Sequence, residues 1–284
     1  MAHSPDRTKA VCCSSSLNLE KSMGRLTRCP TWALALLVFV MIVACQTVPI
    51  TGRSQLLLLP EAEELQMGLQ SYQEVLKKSK ISNDPKMNDL VRRVGTRIAA
   101  ATGRSNYQWE FKVIEEKQAN AFCLPGGKVA VYTGILPITR DEAGLAAVVG
   151  HEVSHAIARH GAERVSQNLL VEMGLTGTMA ALSKGDPNTV KNVGALLGAG
   201  ASVGLLLPWG RAQESEADHL GLIYMAKAGY DPHAARDLWV RMAEASKGSG
   251  RPPEFLSTHP SEATRIKQIE AWLPEAMQYY RPTR

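Results

Sequence analysis

Between Glu61 and Lys80 the apolar residues Leu65, Met67, Leu69, Tyr72 and Leu76 recur among charged ones, which predicts an amphipathic helix. A second helix is predicted from Asp84-Pro85, a cap residue followed by proline in the first turn, with Met87, Leu90, Val91, Val94 and Ile98 on one stripe. The pattern then changes. Tyr107 to Val113 alternates aromatic and polar residues, and Ala119 to Leu124 and Lys128 to Thr133 flank Pro125-Gly126-Gly127, so the latter two should pair as a hairpin. Asp141 opens another helix with Leu145, Val148 and Val149 on its apolar side. Asp231-Pro232 precedes a helix through Trp239 and Met242, and Pro260 starts the last one, with Ile266 and Ile269 inward. The fold class that follows is α+β, mostly helical.

Two stretches depart from this patterning. In residues 1–44, basic Lys21, Arg25 and Arg28 precede an unbroken apolar run from Trp32 to Ala44, too short to span a bilayer comfortably and of the length of a signal-peptide h-region, the alternative being an uncleaved membrane anchor. It ends in Ile42-Val43-Ala44-Cys45, which resembles the lipobox of bacterial lipoproteins. That resemblance implies a lipid on Cys45 and, with Gln46 after it, the periplasmic face of the outer membrane. Residues 46–60 then read as a tether and 61–284 as a single catalytic domain, with Met23 an alternative start. Cys12, Cys13 and Cys29 fall in the removed segment, so Cys123 has no internal disulfide partner and is expected to be a small buried hydrophobe. Between Leu169 and Leu207 lie two Gly- and Ala-rich apolar stretches split at Ser183 to Asn188. The second, 193–207, is expected to form a buried hairpin over the active-site helix, the alternative being a surface for membrane or unfolded substrate.

Composition adds little. With 45% hydrophobic and 21% charged residues the chain is of ordinary globular type. Most of its net charge of +5 lies within residues 1–44, so nothing argues for nucleic acid.

The chemistry lies in His151-Glu152-Val153-Ser154-His155. On a helix, positions 151 and 155 stack one turn apart, so two imidazoles converge on one metal ion, and Glu152, about 100° around, lies within reach of the attacking water. A catalytic zinc needs a third protein ligand. The HExxHxxGxxH route is closed because Ala158 and Gly161 occupy its last two positions. Glu214-Ser215-Glu216-Ala217-Asp218 offers the alternative found in gluzincins. Glu214 ligates, and Asp218, one turn on, accepts a hydrogen bond from the outer nitrogen of a ligating His. Glu216, about 200° from Glu214, should point away. His160, His219 and His233 fall off the ligand face and receive no chemistry.

At these residues the chain resembles the HtpX-like and CAAX-prenyl-protease-like zinc metallopeptidases, in particular the periplasmic lipoprotein branch resembling BepA, without its tetratricopeptide domain. The resembling segments are Val48 to Gly52, Asn120-Ala121-Phe122, His151 to His160, Glu214 to Gly221, Gly229 to Pro232, and Ser257 to Pro260 with Arg265. The resemblance implies a zincin-like domain with a small antiparallel sheet packed on the active-site helix and one zinc per chain. It also implies that Asn120, Ala121 and Phe122 form the strand that takes an extended substrate. His259 becomes a late catalytic histidine, stabilising the oxyanion or capping the zinc as a fourth ligand, and Arg265 an oxyanion or structural residue. The expected function is an endopeptidase for misfolded or unassembled envelope proteins. A chaperone or assembly factor for outer-membrane proteins, with gated protease activity, is the alternative. Two His and one carboxylate also suit the iron of an oxygenase, but Glu152 inside the motif makes hydrolysis the better fit.

Overall fold

The computed structural model describes residues 45–182, 191, 195, 206–249, 254–259 and 263–282, all within one compact unit spanning Ala44–Arg284. The signal segment expected over 1–44 and nearly all of the apolar stretch 193–207 lie outside the described residues.

The stretch expected as a tether is a folded hairpin. Strands β1 (Cys45–Thr47) and β2 (Ser54–Leu56) pair antiparallel with Cys45 opposite Leu56, through a turn in which Ile50 has φ 70° and Gly52 φ 67°. Val48 and Leu57 are buried, so apolar burial fixes the hairpin to the body. Helix α1 (Glu61–Lys78) and helix α2 (Pro85–Thr102) follow as the periodicity predicts. Asp84 caps α2 by accepting from Lys86 N at 2.8 Å and Met87 N at 3.3 Å, and Gly103 closes it at φ 69°.

Strands β3 (Glu110–Ile114), β4 (Ala121–Leu124) and β5 (Lys128–Tyr132) form one sheet in the order β3-β5-β4. The β4–β5 hairpin is as expected from Pro125-Gly126-Gly127. The sheet is mixed rather than purely antiparallel, because β3 pairs parallel with β5. Side-chain alternation is the same in both pairings and carries no direction. β4 is thereby an edge strand, packed beside the central helix.

A short 3-10 turn (Thr133–Ile135) and helix α3 (Leu136–Thr139) lead to helix α4 (Glu142–Ile157), capped by Asp141 accepting from Gly144 N at 2.7 Å. Every residue of α4 from Gly144 to Ile157 is buried. Around it lie α2, β4, α6 (Leu207–Lys227) and α7 (His233–Ser249). Helix α5 (His160–Leu182) precedes α6, and α8 (Glu254–Thr258) and α9 (Ala263–Tyr279) end the described chain. No helix among the described residues is long and apolar enough to cross a membrane.

The crossing of α4 and α6 sets the site. A Cβ on Gly221 would lie 3.1 Å from His151 N, and one on Gly150 would lie 3.1 Å from Gly221 O. Only the absence of side chains at both positions lets the two backbones touch, which brings Glu214 and Asp218 up to the face of α4 that carries the histidines.

Candidate metal centre

His151 and His155 are buried, and their Nε2 atoms lie 3.1 Å apart. Glu214 Oε2 is 3.3 Å from His151 Nε2 and its Oε1 is 3.3 Å from His155 Nε2. A tetrahedral zinc with bonds of about 2.0–2.1 Å spaces its ligand atoms about 3.3 Å apart, so these three donors fit it. His259 belongs to the same group: its Nδ1 lies 3.1 Å from His151 Nε2 and 2.9 Å from Glu214 Oε2, and one atom from each of the four residues falls within 4.8 Å of the others. Phe255 holds that histidine in place by stacking on it at 4.7 Å and donating its backbone N–H to Ala119 O at 3.0 Å, beside β4.

Glu152 is buried behind the ligands, with Oε1 3.3 Å from His259 Nε2 yet without a hydrogen-bond partner among the described residues. Burial pushes its carboxyl up to about 7, opposed by His259 and reinforced by the charge of Glu214. For Glu214, burial acts upward too, but the imidazoles of His151, His155 and His259 that face it outweigh it and hold the carboxylate far below its ordinary range.

The outer nitrogens of the two histidines meet different partners. His151 Nδ1 donates to Asp218 Oδ1 at 2.9 Å, as the sequence predicts. Asp218 is also gripped by Arg265, whose Nε bonds Oδ2 and whose Nη2 reaches Oδ1 at 2.8 Å. Arg265 stacks 3.6 Å over the Trp239 ring and comes within 3.5 Å of Glu214. Its guanidinium is buried, and its Nη1 also donates to His259 O at 3.4 Å.

His155 Nδ1 lies 2.8 Å from His160 Nδ1, and His160 Nε2 lies 3.0 Å from Glu216 Oε2. Glu216 also accepts from Thr51 Oγ1, and from Arg53 Nε at 2.8 Å. Arg53 in turn bonds both oxygens of Glu163, at 2.6 and 2.8 Å. The expectation that His160 takes no part in the site is thereby corrected, whereas Glu216 points away from Glu214 as expected. Helix α4 ends at Ile157, and Arg159 adopts φ 57°, turning the chain so that His160 points back at His155 instead of continuing around the helix. Glu216 does leave the ligand face of α6, but the N-terminal hairpin lies on that side. An extra His five residues after the motif, with a second acid two after Glu214, is the only sequence signal of this network.

The remaining assignments are simpler. Ala121 is buried and pairs with Val131, Phe122 packs edge-on against Tyr132 at 6.3 Å, and Asn120 Oδ1 accepts from Ala121 N at 2.9 Å. His219 pairs with Glu275 and stacks on Trp272, and His233 pairs with Asp231, both away from the centre as expected. Cys123 is partly buried and Cys45 exposed.

Residues 85–273 match peptidase family M48. The chain is 45% identical over 186 residues to the mitochondrial metalloendopeptidase OMA1 of Schizosaccharomyces pombe, covering 66% of its own length and 53% of the relative's. It is 31% identical over 250 residues to the Saccharomyces cerevisiae protein of that name, covering 82% and 70%. The beta-barrel assembly-enhancing protease of Escherichia coli is 26% identical over 226 residues, 78% and 46% of the two chains. The resemblance to that bacterial branch thus holds at distant identity, and the mitochondrial proteins share more. These relatives overturn the placement as a lipid-anchored bacterial outer-membrane protein, because lipobox-like residues are also what any apolar segment ending in small residues and a cysteine contains. With two buried imidazoles and a carboxylate spaced for zinc and a family match across most of the described residues, the chain belongs to peptidase family M48, a family of zinc metalloendopeptidases.

Proposed function

We propose that this chain is a zinc-dependent endopeptidase acting on unfolded or misfolded proteins, in protein quality control. The observation that carries the reading is the buried carboxylate of Glu152, whose Oε1 has no hydrogen-bond partner among the described residues, set beside three converging metal donors. His151, His155 and Glu214 would hold one zinc, which when bound would supply a Lewis acid for the scissile carbonyl and the attacking water. Glu152, with its carboxyl near 7, takes the proton from that water and delivers it to the leaving amine. Asp218 keeps the proton of His151 on Nδ1, so that Nε2 presents its lone pair to the metal. The edge strand β4, with Asn120, Ala121 and Phe122, receives an extended peptide as a further strand. Main-chain pairing of that kind accepts many sequences but requires an unfolded segment, which is why misfolded chains are the substrate class.

His259 favours a second reading, an assembly factor or chaperone with a gated protease. In the donor group it could supply a fourth ligand to a bound metal, which would take the position that a catalytic centre needs open. The test of the first reading is cleavage of one protein presented folded and permanently unfolded. The unfolded form is cut, the activity disappears with a chelator, and zinc restores it; equal cutting of the folded form, or none of either, overturns the proposal.

A further inference from the structure

We propose that His160 and Glu216 are positioning residues for His155, forming a relay that begins in the N-terminal hairpin at Thr51 and Arg53 and ends on the metal-facing imidazole. The inference rests on the zinc reading of the site and is independent of substrate. Its basis is the proton count along one line of atoms. His155 points Nε2 at Glu214 and the other donors, so that nitrogen must keep its lone pair and the proton sits on Nδ1. Across a 2.8 Å gap stands His160 Nδ1, which accepts this proton only if its own proton is on Nε2. That nitrogen is 3.0 Å from Glu216 Oε2, a carboxylate oxygen able only to accept. One tautomer assignment satisfies the contacts from His155 through His160 to Glu216 and leaves the lone pair of His155 Nε2 for the metal. The reverse, with His160 donating to His155, places a proton on the metal-facing nitrogen and turns a lone pair of His160 toward a carboxylate.

The remaining members hold Glu216. Thr51 binds one of its oxygens and Arg53 the other, and Arg53 is itself fixed by Glu163. Gln213 donates to Glu163 at 2.7 Å, which ties the cluster back to α6. His160 and Glu216 are buried, so water does not compete for these bonds. The metal centre is therefore assembled in part by residues 51–53, far from the motif in sequence.

The experiment compares full-length wild type with His160→Phe, His160→Asn and Glu216→Leu. Zinc affinity is read by competition with a chromophoric chelator, and ligand geometry by the visible spectrum of the cobalt-substituted protein. His160→Phe removes the acceptor and should weaken zinc by about 10–100-fold with a changed cobalt band. His160→Asn keeps an acceptor at the Nδ1 position and should recover most of the loss, a graded rescue that a purely packing role would not produce. Glu216→Leu should fall between them. Wild-type affinity and an unchanged cobalt spectrum in folded His160→Phe overturn the relay. If that variant does not fold, wild-type values in both His160→Asn and Glu216→Leu, with no step between them, do the same. A wild type that takes up no zinc overturns the metal reading itself, and the relay with it.

Discussion

His151 and His155 sit one turn apart on α4 and face the same point, yet they are held in different ways. His151 leans on a carboxylate, Asp218, which a buried arginine from α9 neutralises. His155 leans on a second imidazole, with the carboxylate one step further back and an arginine from the N-terminal hairpin behind it. The electrostatic results diverge. Burial lowers both histidines, but for His151 the bonds to Asp218 and Glu214 win and favour protonation. For His155 burial wins, and it stays well below its ordinary range. A direct carboxylate adds basicity to a ligand, whereas an interposed neutral ring adds direction with less charge. The two arms also draw on opposite ends of the described chain, residues 51–53 on one side and Arg265 on the other.

The largest expected effect separates the base from both arms. Glu152→Gln keeps the shape and removes the proton acceptor, so cleavage of an unfolded substrate should fall by about 10²–10⁴-fold in kcat/KM. Zinc content should stay at one per chain, because neither arm passes through Glu152. Hydrolysis retained in this variant would mean that one of the arms supplies the base and that the division of labour is wrong.

Next in size is the turn that aims the His155 arm. Arg159, at φ 57°, is locked by Glu64 at 2.6 Å, Gln46 at 3.0 Å and Leu59 O at 3.1 Å. Both members of the Arg159–Glu64 pair are buried. Arg159→Met leaves Glu64 uncompensated and should cost about 3–5 kcal/mol. Thermal unfolding should show it as a drop of about 10 °C. A change within a degree or two would show that the turn holds without its arginine.

The two arms can then be set against each other with matched amide substitutions. Asp218→Asn removes the carboxylate charge that Arg265 bonds most closely, whereas in Glu216→Gln Arg53 keeps both oxygens of Glu163. Zinc affinity should therefore fall toward the upper end of about 10–100-fold for Asp218→Asn and toward the lower end for Glu216→Gln. The opposite order, in a chelator competition at one pH, would make the imidazole arm the stronger.

What was legible in the residues follows the same division. The Asp218 arm could be read because it obeys one rule, the stacking of positions 214 and 218 along a regular helix opposite a regular HExxH helix. The helices at Glu61–Lys78 and Pro85–Thr102 and the hairpin at Pro125-Gly126-Gly127 were readable for a similar reason, since periodicity, caps and turn residues are local. The His160 arm was not, because it depends on a reversal at Arg159, where no glycine or proline marks the left-handed turn. Parallel pairing of β3 with β5 and the docking of residues 45–56 were hidden likewise, being settled by contacts across the fold. The compartment was misjudged because a short apolar segment followed by a cysteine is a weak signal beside relatives that cover most of the chain.

The smallest effect decides what the shared fourth position is for. His259 is held against both arms at once, 3.1 Å from His151 Nε2 and 2.9 Å from Glu214, by a short helix anchored through Phe255 to the approach of β4. A peptide adding to β4 must run past that anchor, so substrate and the closed position of His259 compete for neighbouring space. If closure is favoured by about ten to one, His259→Ala should raise cleavage of an unfolded substrate by up to about tenfold, with a smaller change in zinc affinity than either arm produces. The opposite sign is equally readable. A donor to the transition state lost from this site would cost about 10²–10³-fold in kcat, and such a fall in His259→Ala would make His259 part of the working centre rather than its cover.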